Sequence, residues 1–140
     1  PARVVRAEVT EAPISVTELA DAVHDAAAGA VVTFEGVVRN HDADRGVSGI
    51  GYSCHPTAGQ IVKEIARDVA ERRRVRALGV VHRVGDLAVG EAALAVAVSS
   101  DHRAEAFATC GEIVEEVKKR LPVWKRQTFS DGTSQWSNLA

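Results

Sequence analysis

Residues 99–125, SSDHRAEAFATCGEIVEEVKKRLPVWK, combine a helical hydrophobic pattern with an abrupt end. Asp101 or Ser100 is expected to cap the helix by accepting a backbone N–H bond. Pro122 ends it, because the residue before a proline avoids helical backbone angles. Spacings of three and four residues predict one apolar stripe, formed by Phe107, Cys110, Val114, Val117 and Leu121.

Charged residues mostly fall on the opposite face of this helix, but Arg103 and Lys118 do not. On a helical wheel Lys118 lies about 20° from Phe107. A cation that faces a core is costly unless it is paired or lines a cavity. Either both side chains extend their charged ends to the rim, or they form a cationic pocket that Lys125 extends. The predicted solvated face contains Glu105, Glu112, Glu115, Glu116 and Lys119.

Composition narrows the class of protein. The length of 140 residues predicts one domain, residues 1–140. With 17 basic and 19 acidic residues, the chain has no overall field that attracts nucleic acid or membrane. Neither a membrane-spanning run nor a signal-peptide pattern is present, so a cytoplasmic location is expected.

The two cysteines have no CxxC spacing and are expected to stay reduced. Cys110, on the helix stripe, is predicted to be a core residue, and Cys54 to be more exposed. A persulfide relay through either cysteine remains an alternative.

The first half of the chain mixes strands and helices. A strand over 3–9 precedes a helix that begins at a capping box, Ser15 to Glu18, and runs to Ala28. The clearest strand is Ala30–Arg39, in which Gly36 indicates a bulge or a close approach by a ligand or another backbone. A flexible loop is predicted over 40–49 and a short strand over Ile50–Cys54.

The second half continues this alternation. A helix begins at a second capping box, Thr57 with Gln60, buries Ile61, Ile65 and Val69, and closes at Arg72–Arg74. Strands follow over Val75–Arg83 and Glu91–Ser99, and Asp131-Gly132 predicts a turn. This order predicts an α+β fold with two layers.

Familiar catalytic motifs are missing, since the chain has no GxGxxG, P-loop, HExxH or GxSxG. A metal site at His82 and His102 is disfavoured because each is followed by an arginine. The remaining candidates are cationic residues at the ends of predicted helices and strands, and such residues typically bind phosphates and carboxylates. They are Arg39, His82-Arg83, His102-Arg103, Lys118 and Lys125. The run Arg72–Arg74 is interpreted as structural, with RNA binding as the alternative.

Four segments in order resemble the MoaE family, the large catalytic subunits of molybdopterin synthase, from about Ala30 to Trp136. They are Phe34-x-Gly36-x-Val38-Arg39-Asn40, His82-Arg83-x-Gly85-x-Leu87, Ser100-x-His102-Arg103-x-x-Ala106-Phe107 and Lys118-x-x-x-Pro122-Val123-Trp124-Lys125.

The resemblance implies an α/β hammerhead with an additional antiparallel β-sheet. It also implies conversion of cyclic pyranopterin monophosphate to molybdopterin, the sulfurtransferase step of molybdenum cofactor biosynthesis. Two sulfurs arrive as thiocarboxylate on the Gly-Gly tail of a small ubiquitin-like subunit of the MoaD type. The implied assembly is a heterotetramer built on a central homodimer, and no metal or organic cofactor is needed.

The resemblance implies roles for individual residues. Lys118 and Lys125 would be catalytic and would contact the substrate, together with Arg39, His102 and Arg103. Phe34 would form a wall of the pocket. His102 and Arg103 could come from the neighbouring subunit.

The chain departs from the family where Ser53 and Gln127 replace residues that are often acidic. These departures bear on partner affinity and local packing. The alternative function is a non-catalytic dimer that binds the small subunit or a pterin.

Overall fold

A computed structural model describes residues 1–138 and confirms the mixed α+β class. Within residues 1–138, three helices, α1–α3, and nine strands, β1–β9, follow one another. In order they are β1 (Arg3–Thr10), α1 (Val16–Ala22), β2 (Ala30–Val37), β3 (His41–Asp42), β4 (Arg45–Cys54), α2 (Ala58–Arg72), β5 (Ala77–Arg83), β6 (Gly85–Ala88), β7 (Ala92–Ser100), α3 (Arg103–Arg120), β8 (Val123–Phe129) and β9 (Ser134–Asn138).

The first sheet has the order β1-β5-β7-β2 and carries helices on both faces. Strand β1 pairs with β5 in parallel, and the remaining pairs are antiparallel. Along β7, Leu94, Val96 and Val98 join the main core with α2 and α3, whereas Ala95 and Ala97 pack under α1. Strand alternation therefore separates large residues on one face from small ones on the other.

Small residues let α1 lie close to the sheet. A Cβ atom placed on Gly79 would come within 2.6 Å of Leu19 Cδ1. Leu19 itself is fully buried. The glycine is thus required by the close approach of the helix.

The second sheet has the order β3-β4-β8-β9, and β6 also pairs with β4. Its central strand β4 pairs with β8 over residues 47–54. A small apolar cluster of Val38, Leu87 and Ala93 packs against Ile50 and Tyr52 of this sheet. None of the helices within residues 1–138 is long and apolar enough to span a membrane.

The predicted flexible loop over 40–49 is wrong, because these residues form the β3–β4 hairpin. Its turn contains Ala43 with a φ of 52°. The Arg45 guanidinium lies 3.5 Å from the centre of the Phe129 ring and donates to Thr133. These contacts are distant in sequence, so the polar composition of the segment did not indicate them.

The predicted end of α1 and the predicted caps of α2 and α3 need correction. Helix α1 ends at Ala22 instead of Ala28, since the Asp25 carboxylate accepts the Ala27 N–H in a local turn. One of the two hydrogen bonds of its capping box is present, because the Glu18 N–H donates to the Ser15 side-chain oxygen. The capping box of α2 does not form, because Thr57 Oγ1 pairs with His55 Nδ1 at 2.9 Å instead.

Helix α3 lacks the predicted cap. His102 is the N-cap residue and makes no side-chain cap bond. Asp101 is paired with Arg76, at 2.6 and 2.9 Å, and the Ser100 hydroxyl donates to the His102 carbonyl. Competing partners therefore take both predicted caps.

The apolar stripe of α3 is confirmed except at Phe107, which is 63% exposed. Cys110, Val114, Val117 and Leu121 are buried as predicted. On the other side, Glu112 and Glu116 are half-buried and pair with arginines of α2 instead of facing solvent. The buried stripe is therefore narrower than predicted at the edge that carries Phe107.

Candidate active site

Lys118 and Lys125 are brought together by the sharp end of α3. The last helical bond is donated by the Leu121 N–H to the Val117 carbonyl at 3.0 Å. Pro122 follows, and β8 begins at Val123. The chain therefore turns back within a few residues, and both lysines line one cleft.

This cleft, called here the lysine cleft, has a volume of about 150 Å³. Two aromatic side chains, one imidazole, a glycine and several aliphatic residues complete its wall. The lining residues are Phe34, Gly36, Val37, Tyr52, His82, Ala93, Leu94, Val117, Lys118 and Lys125. Apart from the two lysines and the two polar rings, the lining side chains are apolar.

Strand pairing explains which residues meet here. Gly36 and His82 both lie opposite Leu94, on β2 and β5 respectively, so the three form one row across the first sheet. Tyr52 lies opposite Lys125 in the second sheet. A Cβ atom on Gly36 would lie 3.4 Å from the Phe34 ring and 3.6 Å from Leu94 Cβ, so the missing side chain leaves the cleft open.

A second depression, the polar cleft, adjoins the lysine cleft and has a volume of about 110 Å³. Arg39 lines it with its side chain 67% exposed, 4.0 Å from Asp42. Gln127 is buried and donates to Asp42 at 3.1 Å. Two of the residues that the two clefts share are Tyr52 and Lys125. A charged group bound by Arg39 would therefore lie next to the lysines.

His82 is a neutral residue, which corrects its inclusion among the predicted cations. It is 2% exposed, and burial lowers its pKa to about 4 although the hydrogen bond to the Arg83 carbonyl opposes this shift. Its Nδ1 lies 2.7 Å from that carbonyl, so Nδ1 carries the proton. The ring packs edge-to-face on Tyr52, with 5.2 Å between centroids.

Arg83 also lies outside the predicted anion site. Its side chain is 12% exposed, donates to Glu91 at 2.8 Å and contacts the Glu11 carbonyl. The guanidinium is therefore committed to a structural ion pair. Adjacent residues on a strand point to opposite faces, which is why His82 lines the cleft and Arg83 does not.

His102 and Arg103 lie at the opposite end of α3 from Lys118. Lys118 lies fifteen positions after Arg103 on α3, which corresponds to a rise of about 22 Å along the helix axis. His102 lines a separate open depression of about 420 Å³ with Arg74, Arg76 and Asp101. One chain therefore does not bring these two residues to the lysine cleft.

The cysteines are free and separated. Burial raises the pKa of the Cys110 thiol to about 11, which keeps it protonated at neutral pH. Cys54 is exposed at the end of β4, and neither cysteine lines the lysine cleft. Within residues 1–138, no three His, Cys, Asp or Glu side chains are grouped so as to hold a metal ion.

Neither the place of Tyr52 in the two clefts nor the neutral state of His82 is indicated by a local pattern in the sequence. Tyr52 was the only tyrosine in the chain, but no local pattern marked it as a site residue. Burial raises its pKa above the usual value, so the hydroxyl stays protonated at neutral pH. The bulge expected at Gly36 coincides with a register shift in the pairing of β2 with β7, between Gly36 and Val37.

Comparison with known proteins agrees with this geometry. The family model described as MoaE protein matches residues 9–120. A molybdopterin synthase catalytic subunit from Aspergillus clavatus is 36% identical over 137 residues, which cover 97% of this chain and 69% of that protein. The X-ray structure of molybdopterin synthase from Staphylococcus aureus superposes with a TM-score of 0.87 at 28% identity, covering 94% of this chain and 96% of that one.

A complex of subunits 1 and 2 of molybdopterin-converting factor from Helicobacter pylori has the same fold. Its TM-score is 0.72 at 18% identity, and the match covers 93% of this chain and 88% of that one. The family model spans more than half of this chain, and the similarity to the fungal protein spans nearly all of it. The chain therefore belongs to the MoaE protein family.

Proposed function

We propose that this chain is the catalytic subunit of a molybdopterin synthase, a sulfurtransferase that converts cyclic pyranopterin monophosphate to molybdopterin. The observation that carries this proposal is the lysine cleft, where Lys118 and Lys125 converge beside the walls formed by Phe34 and Val117. The similarity to catalytic subunits of this enzyme supports it.

The lysine cleft suits a thin peptide tail that ends in an anion. Its volume of about 150 Å³ leaves little room for side chains, and Gly36 keeps one wall free of a Cβ atom. A Gly-Gly tail meets this restriction, and its terminal thiocarboxylate would lie between the two ammonium groups. The expected partner is a small ubiquitin-like subunit, in keeping with the two-subunit complex that shares this fold.

The polar cleft suits the substrate. Arg39 offers a guanidinium to a phosphate, and Lys125 reaches both clefts. The pterin substrate would therefore sit next to the sulfur of the tail. His102 and Arg103 are proposed to complete the phosphate site from a second copy of the chain, because they lie about 22 Å along α3 from their own Lys118.

Lys118 is proposed to act where sulfur meets substrate. Lys118 is exposed and lines the lysine cleft, and its positive charge would stabilise the negative charge that develops on the reacting groups. Lys125 would hold the same region from the strand side. Neither role needs a metal or an organic cofactor, since the partner supplies the sulfur.

A single-turnover assay tests this function. Wild-type protein, thiocarboxylated small subunit and the cyclic pyranopterin are mixed, and dithiolene product is measured. We expect product from wild type and a rate lower by about 100-fold or more for Lys118→Ala. Lys119→Ala is the matched control, because this neighbouring exposed lysine does not line the cleft.

Three outcomes are distinguishable. Equal rates for Lys118→Ala and wild type would keep the function but remove Lys118 from catalysis. Absence of product from wild type with a competent small subunit would instead favour a non-catalytic dimer that binds the subunit or a pterin. Full activity of a double Cys54→Ser/Cys110→Ser variant would dismiss sulfur relay through cysteine.

A further inference from the structure

Tyr52 lies at the boundary between the lysine cleft and the polar cleft. It is one of three residues that line both, with Val37 and Lys125. Of these three, Val37 offers no hydrogen bond and Lys125 offers a charge. Tyr52 alone therefore presents a neutral hydrogen-bond donor to a group that spans the two clefts.

The Tyr52 ring is supported on one side by an aromatic contact. Edge-to-face packing on His82, with an interplanar angle of 75°, supports one side of the ring. His82 is itself fixed by its hydrogen bond to the Arg83 carbonyl. Lys125 is the direct cross-strand partner of Tyr52 on β8, and Gly85 is its partner on β6. Because Gly85 has no side chain, it leaves the space beside the ring open.

We propose that Tyr52 is a further catalytic residue of the sulfur transfer, and that its hydroxyl donates a hydrogen bond to the acyl oxygen of the bound tail. This inference rests on the proposed function. His82 is a positioning residue that orients the Tyr52 ring.

The step that Tyr52 serves is release of the tail after its sulfur has bonded to the pterin. Water adds to the terminal acyl carbon, and negative charge develops on the acyl oxygen. The acyl carbon–sulfur bond then breaks, so the sulfur stays on the pterin as thiolate and the tail leaves as carboxylate. Two protons pass to solvent. The Tyr52 hydroxyl keeps its own proton and stabilises the oxyanion by hydrogen bonding.

Removal of the hydroxyl alone tests this role. Tyr52→Phe keeps the ring and its packing on His82 and removes one hydrogen bond to the tail, so the Kd for the small subunit should rise by no more than about tenfold. The single-turnover rate should fall by about 100-fold, as when one oxyanion donor is removed. Ser48→Ala is the matched control, because it removes an exposed hydroxyl from the same strand at a residue that lines neither cleft.

The outcomes separate this inference from the function on which it rests. Active wild type with an equally active Tyr52→Phe variant would overturn the role of Tyr52 and leave the function standing. Inactive wild type with a competent small subunit would overturn the function itself, and with it any reaction for Tyr52 to serve.

A second readout does not depend on turnover. The chain contains one tyrosine, so 3-fluorotyrosine labelling gives a single fluorine resonance. Full-length thiocarboxylated small subunit should shift this resonance, and a subunit lacking its last two residues should not. Identical spectra with both subunits would overturn contact between Tyr52 and the tail.

The positioning role of His82 has its own test. His82→Asn retains an N–H for the Arg83 carbonyl but removes the ring edge that supports Tyr52. We expect a changed fluorine resonance in the free enzyme and a lower kcat at unchanged KM. An unchanged resonance would show that His82 does not orient the tyrosine.

Discussion

Lys118 illustrates how a residue that conflicts with a helical pattern can mark a site. The sequence pattern left two interpretations, a cation reaching the rim or a cationic pocket. The edge of α3 that carries Lys118 also carries Phe107, which is exposed, so this edge is not sealed by the core. Lys118 itself lines a cleft with Lys125, which favours the pocket.

Gly36 provides a prediction about access to this cleft. Gly36→Ala should leave the fold intact, because its Cβ atom would meet Phe34 and Leu94 at 3.4 and 3.6 Å. The added methyl group should weaken binding of the small subunit by about tenfold, since it narrows the space for the tail. Titration calorimetry would measure this Kd.

Gly59→Ala is the matched control for Gly36→Ala. Gly59 lies in α2, and a Cβ atom there would meet no other atom within 4 Å. Wild-type affinity for Gly36→Ala would contradict the assignment of the lysine cleft to the tail.

His82 predicts how stability depends on pH. Its pKa is about 4 in the folded protein, against about 6.5 in the unfolded chain, so only the unfolded state gains a proton between these values. Stability should therefore fall as pH decreases from about 6.5 to 4. The contribution of His82 should be a loss of about 2 kcal/mol between pH 7 and pH 5.

Urea unfolding at pH 7 and pH 5 measures this effect. The His82→Asn variant should be less stable than wild type at pH 7 but should lose less stability on going to pH 5. Equal losses for the two proteins would show that His82 is protonated in the folded state.

At the level of elements, α2 and α3 are joined by an ion-pair network. Glu112 of α3 accepts from Arg72 Nε at 2.7 Å and from Arg73 Nε at 2.6 Å, and Glu116 and Glu105 lie nearby. Two members of the Arg72–Arg74 run are therefore used within the fold. This pairing supports the structural interpretation of the run over RNA binding.

Removing the charge of Glu112 should weaken the contact between these helices. Burial raises its pKa, but hydrogen bonds from Arg73 and Arg72 outweigh this and leave the pKa lowered. Glu112→Gln should cost about 1 kcal/mol at pH 7, a modest value because Arg72 is largely exposed. Because the pKa of Glu112 is lowered in the folded protein, its ionised carboxylate stabilises the fold at pH values above the unfolded-state pKa of about 4.3. This stabilisation is lost as the pH falls below that value and through the lower folded-state pKa.

The measurement is urea unfolding of Glu112→Gln and wild type from pH 7 to pH 3. The difference between them should shrink toward pH 3. Glu115→Gln, at an exposed position on the same helix, should behave like wild type. A difference that does not change with pH would assign the effect to packing rather than charge.

Considered as a whole molecule, the chain places the proposed site residues at opposite ends of α3. Lys118, Lys125 and Arg39 lie around the two adjoining clefts, whereas His102 and Arg103 lie about 22 Å away along the helix. A substrate site that uses all five needs a second chain. The open depression beside His102 is where such a chain could present its own clefts.

Subunit mixing tests this arrangement. Lys118→Ala and Arg103→Ala proteins should each be inactive alone. If each site combines residues from two chains, a mixed dimer has one intact site, and random mixing should restore about a quarter of wild-type activity. Single-turnover assays before and after exchange of subunits in mild denaturant would measure this recovery. No recovery, with mixed dimers present, would place each complete site within one chain.

Local patterns in the sequence determined much of this protein. Periodicity predicted α3 and its buried residues Cys110, Val114 and Val117, because a helix repeats its faces every few residues. Alternation and β-branched residues predicted β2, and Gly36 indicated a bulge at the point where the pairing of β2 with β7 shifts register. The wheel position of Lys118 left two interpretations, a rim position and a pocket. All of these signals are carried by neighbouring residues in the chain.

Only the tertiary structure decided which distant residues meet. It placed Tyr52 opposite Lys125 and against His82, and its burial of His82 made a predicted cation neutral. It also paired Arg83 with Glu91 and turned residues 41–54 into a hairpin. Charge state, cap use and strand pairing depend on partners brought together by packing, and a local pattern contains no information about those partners.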